Sequence, residues 1–205
     1  THPEMPQFRD QIVECARELK ELGVIARSQD LRLSFHPSQY IILNSPDAKL
    51  TTQSVHDIES QTEMLDRMEL GPEAVVVVHV GGTYGDRAAA RQRWARTFER
   101  KLSKRARDRL VLENDDISFS AADVLELHRL CGVRLIFDYQ HFWCRNPERL
   151  ELRPTVEEFL RTWPDGVRPK LHFSSPRTEM RELRRRNRQT NKREIVLLPP
   201  LLTGH

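Results

Sequence analysis

The sequence predicts an α/β fold of parallel strands joined by helical crossovers, and three observations carry that prediction. Five short runs are rich in Val, Ile, Leu and Phe, nearly continuous apolar stretches bounded by turn or charge signals, as strands of a buried parallel sheet are. Segments of helical periodicity separate them. The order α-β-α-β-α-β-α-β-α-β then requires parallel pairing, in a doubly wound sheet or in a barrel.

Taken in order, a helix is expected over 7–22 and a strand over 31–36, where Leu31-Arg32-Leu33-Ser34-Phe35 closes on His36. A helix over 51–68 leads to a strand over 74–79, whose Val75-Val76-Val77-Val78 closes on His79. The next pair is a helix over 86–107 and a strand over 109–113, Leu110-Val111-Leu112 closing on Glu113. A helix over 120–130 precedes a strand over 133–138, in which Leu135-Ile136-Phe137 closes on Asp138. The last pair is a helix over 155–162 and a strand over 168–173 containing Pro169-Lys170-Leu171-His172. An eight-stranded barrel usually takes about 250 residues. With five strands in 205 residues, the pattern reads as one domain, incomplete at both ends. The segment 177–193 breaks the alternation: it holds Arg184, Arg185 and Arg186 among eight basic residues, against two acidic ones.

Composition narrows the class. Hydrophobic residues make up 38% and charged residues 31%, and no apolar run approaches the ~18 residues of a membrane span. The opening Thr1-His2-Pro3-Glu4-Met5-Pro6 lacks the basic start and apolar stretch of a signal peptide, so a cytoplasmic protein is expected. Cys15, Cys131 and Cys144 show no C-x-x-C spacing, which points to buried free thiols and away from a disulfide framework or zinc knuckle. A net charge of +3 and a pI near 8.9 suit a polyanionic partner without requiring one.

The chemistry lies in how the strands end. His36, His79, Glu113, Asp138 and His172 all stand at predicted strand ends, the face where barrel active sites form. One histidine at a strand end is commonly a hydrogen-bonded structural residue. Five such groups in register are costly to bury together unless they pair or coordinate a cation. Imidazole with carboxylate suits Mn²⁺, Zn²⁺ or Fe²⁺ better than Mg²⁺ alone, and the residues leave those three open. Asp138 and His141, three apart, can serve neighbouring ions, and Glu113 can bridge two, an arrangement suited to phosphodiester hydrolysis. Lys170 shares a strand face with His172, as an ordinary paired lysine or as one modified to an anion near the metals. Asn114 follows Glu113 and can orient it, meet a phosphate or cap the loop.

Ser34-Phe35-His36-Pro37-Ser38-Gln39-Tyr40, His79-Val80-Gly81-Gly82, Leu112-Glu113-Asn114-Asp115-Asp116, Phe137-Asp138-Tyr139-Gln140-His141, Lys170-Leu171-His172-Phe173-Ser174 and Thr203-Gly204-His205 together resemble the UV damage endonucleases. These are similar in fold and metal site to endonuclease IV enzymes. The resemblance implies a TIM (β/α)8 barrel with up to three metal ions, typically Mn²⁺, that nicks damaged double-stranded DNA immediately 5′ of ultraviolet photoproducts. It implies His36, His79, Glu113, Asp138, His141, His172 and His205 as metal ligands, Lys170 as a carboxylated lysine, and Gln39 and Tyr40 as the pair that probes the lesion. Glu113, Lys170 and His172 are then the candidates for the catalytic step, and Asn114, Arg184, Arg185 and Arg186 for DNA contact, the arginines neutralising phosphates. The family's second glutamate ligand would follow His205, beyond this sequence.

Two other readings compete. A sugar-isomerase-like barrel can share the strand-end ligands, but a small polyol needs a closed pocket and no basic segment. A non-catalytic DNA-binding fragment would bind DNA without metal-dependent turnover. A monomer is the expected state.

Overall fold

Capping side chains and tight turns decide where the helices of this chain begin and end. The computed structural model describes residues 10–174, 181–186 and 193–198, in two units, Thr1–His172 and Phe173–His205. In the first unit the expected helix 7–22 is two helices, α1 (Gln11–Glu14) and α2 (Ala16–Ser28), divided by a turn at Cys15. Asp47 opens α3 (Ala48–Arg67) by accepting from the backbone N–H groups of Lys49 and Leu50. A Cβ on Gly23 would lie 1.8 Å from the Met68 carbonyl oxygen, so only glycine lets α2 pass the end of α3. One turn further along, Arg27 donates to the carbonyls of Met68 and Glu69 at 2.7 and 2.9 Å and closes that helix end.

Strand β1 (Val76–His79) leads to α4 (Arg87–Lys101), α5 (Lys104–Arg109) and β2 (Leu110–Glu113). The expected helix 86–107 divides because Ser103 starts a new one, accepting from Ala106 N–H while Glu59 accepts from both its N–H and its hydroxyl. Then come α6 (Ala121–Cys131), β3 (Arg134–Asp138), α7 (Tyr139–Cys144), α8 (Leu152–Arg161) and β4 (Leu171–His172).

The four strands form one parallel sheet in the order β1-β2-β3-β4. The expected strand 31–36 is reduced to a single bridge, Phe35 to Val76, in which Phe35 donates to Val75 O and accepts from Val77 N–H. Pro37 has no N–H to continue that ladder, and Arg32 ties its segment down through its guanidinium, to Glu73 O and Pro169 O. Pro169 likewise limits β4 to two of the six expected residues.

Those contacts also choose between the two architectures. Residue 35 neighbours β1, yet Arg32 reaches Pro169 and Ser34 bonds Lys170, beside the opposite edge strand β4. Only a strongly curled sheet brings its two edges together in this way, so the fold is of barrel type. The two faces agree. Val76, Val78, Leu110, Leu112, Leu135 and Phe137 pack outward on helical residues such as Ile58, Trp94, Leu127 and Phe159. Val75, Val77, Val111 and Ile136 point the other way and meet Trp163 and Val167 inside. Arg32 and Arg134 lie over the Trp163 ring at 5.5 and 4.9 Å, and the indole N–H donates to Leu135 O at 2.7 Å.

The second unit contains β5 (Arg181–Arg186) paired antiparallel with β6 (Arg193–Leu198), so the basic segment 177–193 includes one whole strand of this pair. The cysteines differ from expectation: all three are free, but Cys15 and Cys144 are exposed and Cys131 is only partly covered. Cys15 sits at the surface turn between α1 and α2, and Cys144 at the last residue of α7, where no core forms around them. Among the described residues no helix is long and apolar enough to cross a membrane.

Candidate metal centre

Strand parity builds the site. Along β1 and β2 the inward residues Val77 and Val111 are followed two residues on by His79 and Glu113, which pair directly in register. On β3 the same step leads from Ile136 to Asp138, which pairs with His172 on β4. An apolar layer is therefore capped by a polar one at the C-terminal strand ends.

Glu113 is the hub. Its side chain is 1% exposed, and it accepts hydrogen bonds from His172 Nδ1 at 2.6 Å and His36 Nε2 at 3.0 Å. His79 Nε2 and His141 Nδ1 stand 3.6 and 3.9 Å from its two oxygens. Two donor sets share it, His36-Glu113-His172 and Glu113-Asp138-His141, and within each set the ligand atoms lie within 4.8 Å of one another. The imidazoles pack as a cluster, with ring centroids 5.3 to 5.8 Å apart.

The electrostatics follow from that crowding. Burial pushes the Glu113 carboxyl up, but hydrogen bonds from His172 and His36 and the charges of His172 and His79 outweigh it and hold the group down to about 2. The hydrogen bond to Glu113 raises His36, whereas burial lowers His79. Burial, followed by the charge of Arg32, lowers Lys170, whose ammonium donates to Ser34 Oγ.

The donor set fits divalent cations. His79 Nδ1 is buried with no hydrogen-bond partner, and imidazole nitrogens with carboxylate oxygens are the ligands that transition-metal ions take. His36, His79, Glu113, Asp138, His141 and His172 could each supply one atom.

Among the residues singled out in the sequence, these six converge, and Lys170 shares the inner face with His172. Gln39 and Tyr40 are exposed beside the cluster and line a cleft of about 420 Å³ that reaches His79 and His141. Asn114 is fully buried: its amide donates to Asp138 O at 3.1 Å and accepts from Asp138 N–H at 2.9 Å, so it locks the ends of β2 and β3 together and has no free face for DNA. Its backbone carbonyl pairs with His141 Nδ1 at 2.9 Å. Arg184 is exposed on β5 in the other unit, Arg185 and Arg186 lie on the same strand, and His205 falls outside the described residues.

The sequence reading missed three supporting groups. Asp138 also caps α7, accepting from His141 N–H at 2.7 Å, which places His141 one turn beyond the strand; the Asp-x-x-His spacing carried that signal. Buried Asn44 donates to Gly82 O at 2.8 Å and holds the loop after β1. Gly81 there has φ +108°, and a Cβ would meet Asn44 Oδ1 at 2.5 Å. Ser34 as partner of Lys170 was visible only as a residue of matching parity.

The family model for UV-endonuclease UvdE matches residues 1–197. The chain belongs to that family. It is 34% identical over 180 residues to the UV DNA damage endonuclease of Bacillus velezensis, covering 87% of this chain and 55% of that protein. The UV-damage endonuclease of Neurospora crassa is 31% identical over 195 residues, which is 89% of this chain and 29% of that one. Among solved structures, SacUVDE superposes with a TM-score of 0.75 at 30% identity, over 85% of this chain and 57% of its own. The chain spans about half the length of most of the curated relatives it matches. Endonuclease IV from Thermus thermophilus (TM-score 0.50, 16% identity, 72% of this chain and 54% of its own) and D-psicose 3-epimerase (0.52, 18%, 77% and 57%) share the TIM-barrel fold with this UvdE-family chain. At such identities they speak to fold alone.

Proposed function

We propose that this UvdE-family chain is the catalytic part of a DNA-repair endonuclease that hydrolyses the phosphodiester immediately 5′ of ultraviolet photoproducts in double-stranded DNA. The observation that carries the reading is the buried Glu113 carboxylate at the junction of two three-donor sets, inside a family whose named relatives are UV damage endonucleases. Up to three Mn²⁺ ions would be held there, with a carboxylated Lys170 as a further ligand. Burial lowers the Lys170 amine, which favours the neutral form to which CO₂ adds with loss of a proton. On this reading the chain is one barrel domain with 177–193 inserted, acting as a monomer in the cytoplasm.

When bound, divalent cations supply Lewis acidity, activating water and offsetting charge that builds on the phosphate. The protein's own part is to hold Glu113 ionised between His36 and His172 on one side and Asp138 and His141 on the other. Asn114 fixes the Asp138 backbone so that both sets keep their spacing. Gln39 and Tyr40, exposed on the cleft beside the cluster, meet the distorted dinucleotide, and Arg184, Arg185 and Arg186 meet phosphates.

The test is incision of an end-labelled duplex carrying one cyclobutane pyrimidine dimer, beside undamaged and abasic duplexes, by the full-length protein with Mn²⁺ or with chelator. A metal-dependent nick 5′ of the dimer is expected. Folded, metal-loaded protein that leaves the dimer duplex intact would overturn the nuclease reading in favour of a small-molecule barrel.

A further inference from the structure

The cleft beside the metal cluster has a second wall, and its most exposed part is apolar. Ile117 is 75% exposed at the tip of the loop after β2, and it lines the same cleft as Gln39, Tyr40, His79 and His141. Tyr40 is itself 69% exposed. An isoleucine so exposed on a mobile loop would need no explanation. This loop is held rigidly instead. Asp115 is buried, and its carboxylate accepts from the backbone N–H groups of Ile117 at 2.8 Å, of Phe119 at 3.0 Å and of Ser118. Its own N–H donates to Phe119 O at 2.9 Å, and Phe119 is fully buried. A buried carboxylate thus gathers three consecutive backbone N–H groups and leaves one β-branched apolar side chain standing in water at the edge of the site.

We propose that Ile117 is a specificity residue that packs against the face of a damaged base drawn out of the duplex, opposite Tyr40. This deepens the endonuclease reading and rests on it. Enzymes that act on a base outside its stack hold it between aromatic and apolar side chains, and an aliphatic contact fixed before binding loses little entropy when the base arrives. The occupant is a nucleobase because the cleft, of about 420 Å³, runs from two exposed side chains suited to base faces down to His79 and His141, where the phosphate chemistry is placed. A sugar or a phosphate alone gains nothing from the Ile117 side chain.

A thermodynamic cycle between residue and base tests this. Binding of the metal-loaded, full-length protein is measured on a duplex with one cyclobutane dimer and on a duplex with two base-less residues in its place, a methylphosphonate blocking incision in both. Ile117→Ala is expected to weaken binding to the dimer duplex about tenfold while leaving the base-less duplex unchanged, since only the first offers a base face to lose. Ile117→Met, which restores apolar reach, is expected to recover most of that loss. Equal weakening on both duplexes, or none on either, overturns the proposal, because the first outcome marks a structural role and the second no contact. Wild-type protein that binds dimer and undamaged duplexes alike would instead overturn the endonuclease reading, and this inference with it.

Discussion

Replacing Glu113 with glutamine keeps the shape of the hub and removes its charge, and the structure sets the size of the effect. Its carboxyl falls from 4.5 to about 2 on folding, which couples about 3 kcal/mol of stability to its ionisation. The sign follows from the direction of each shift. A depressed carboxyl stabilises the fold above pH 4.5, and that contribution disappears as pH falls through about 2. His36, raised above 6.5 by the same hydrogen bond, stabilises below pH 6.5 and loses its contribution as pH rises through the folded value. The pair is fully formed between those limits. His79 works against it, because burial lowers its pKa and charging it below 6.5 costs stability. Urea unfolding of chelator-treated protein should therefore show Glu113→Gln less stable than wild type by about 3 kcal/mol near pH 5.5. The gap should narrow toward pH 8 and again toward pH 2. A gap that stays constant across that range would refute the assignment of Glu113 as an ionised hub.

Other perturbations separate the layers of the site. Asn114→Ala leaves the buried N–H and carbonyl of Asp138 without their side-chain partner, and a loss of about 2–4 kcal/mol is expected in denaturant unfolding, with metal binding weakened. Trp163→Phe removes the indole hydrogen bond to Leu135 O and weakens the contacts with Arg32 and Arg134, costing about 1–2 kcal/mol, yet calorimetric metal affinity should stay near the wild-type value because Trp163 belongs to the inner apolar layer and the candidate ligands to the polar one that caps it. A proton must leave His36 before its nitrogen can hold a cation, and Glu113 keeps that proton on above the ordinary 6.5, so metal affinity measured by calorimetry should still be rising with pH past 6.5.

The strand-end residues were legible because apolar runs of fixed parity leave little choice. Once Val77, Val111 and Ile136 face inward, His79, Glu113 and Asp138 must face the same way two residues later. What the sequence could not show was how far each ladder extends. The run 31–36 has strand composition, but Pro37 and the side-chain tethers of Arg32 leave it one bridge. Short helices were also opaque: α7 is six residues long and rests on one cap, Asp138, a residue whose place at a strand end points first to a metal ligand. Asn114 illustrates a third limit, since a polar residue after a ligand suggests contact with substrate, whereas its buried amide pairs with the neighbouring strand end. Breaks at Cys15 and Ser103 depend on packing partners, such as Glu59, that are distant in sequence.

The central claim is that one buried carboxylate joins two cation sites. Anomalous diffraction from crystals of Mn²⁺-loaded protein tests it directly. The account predicts at least two peaks, one among His36, Glu113 and His172 and one among Glu113, Asp138 and His141, with Glu113 ligating both. Peaks elsewhere on the chain, with Glu113 still hydrogen-bonded to His36 and His172 in the loaded crystals, would contradict it.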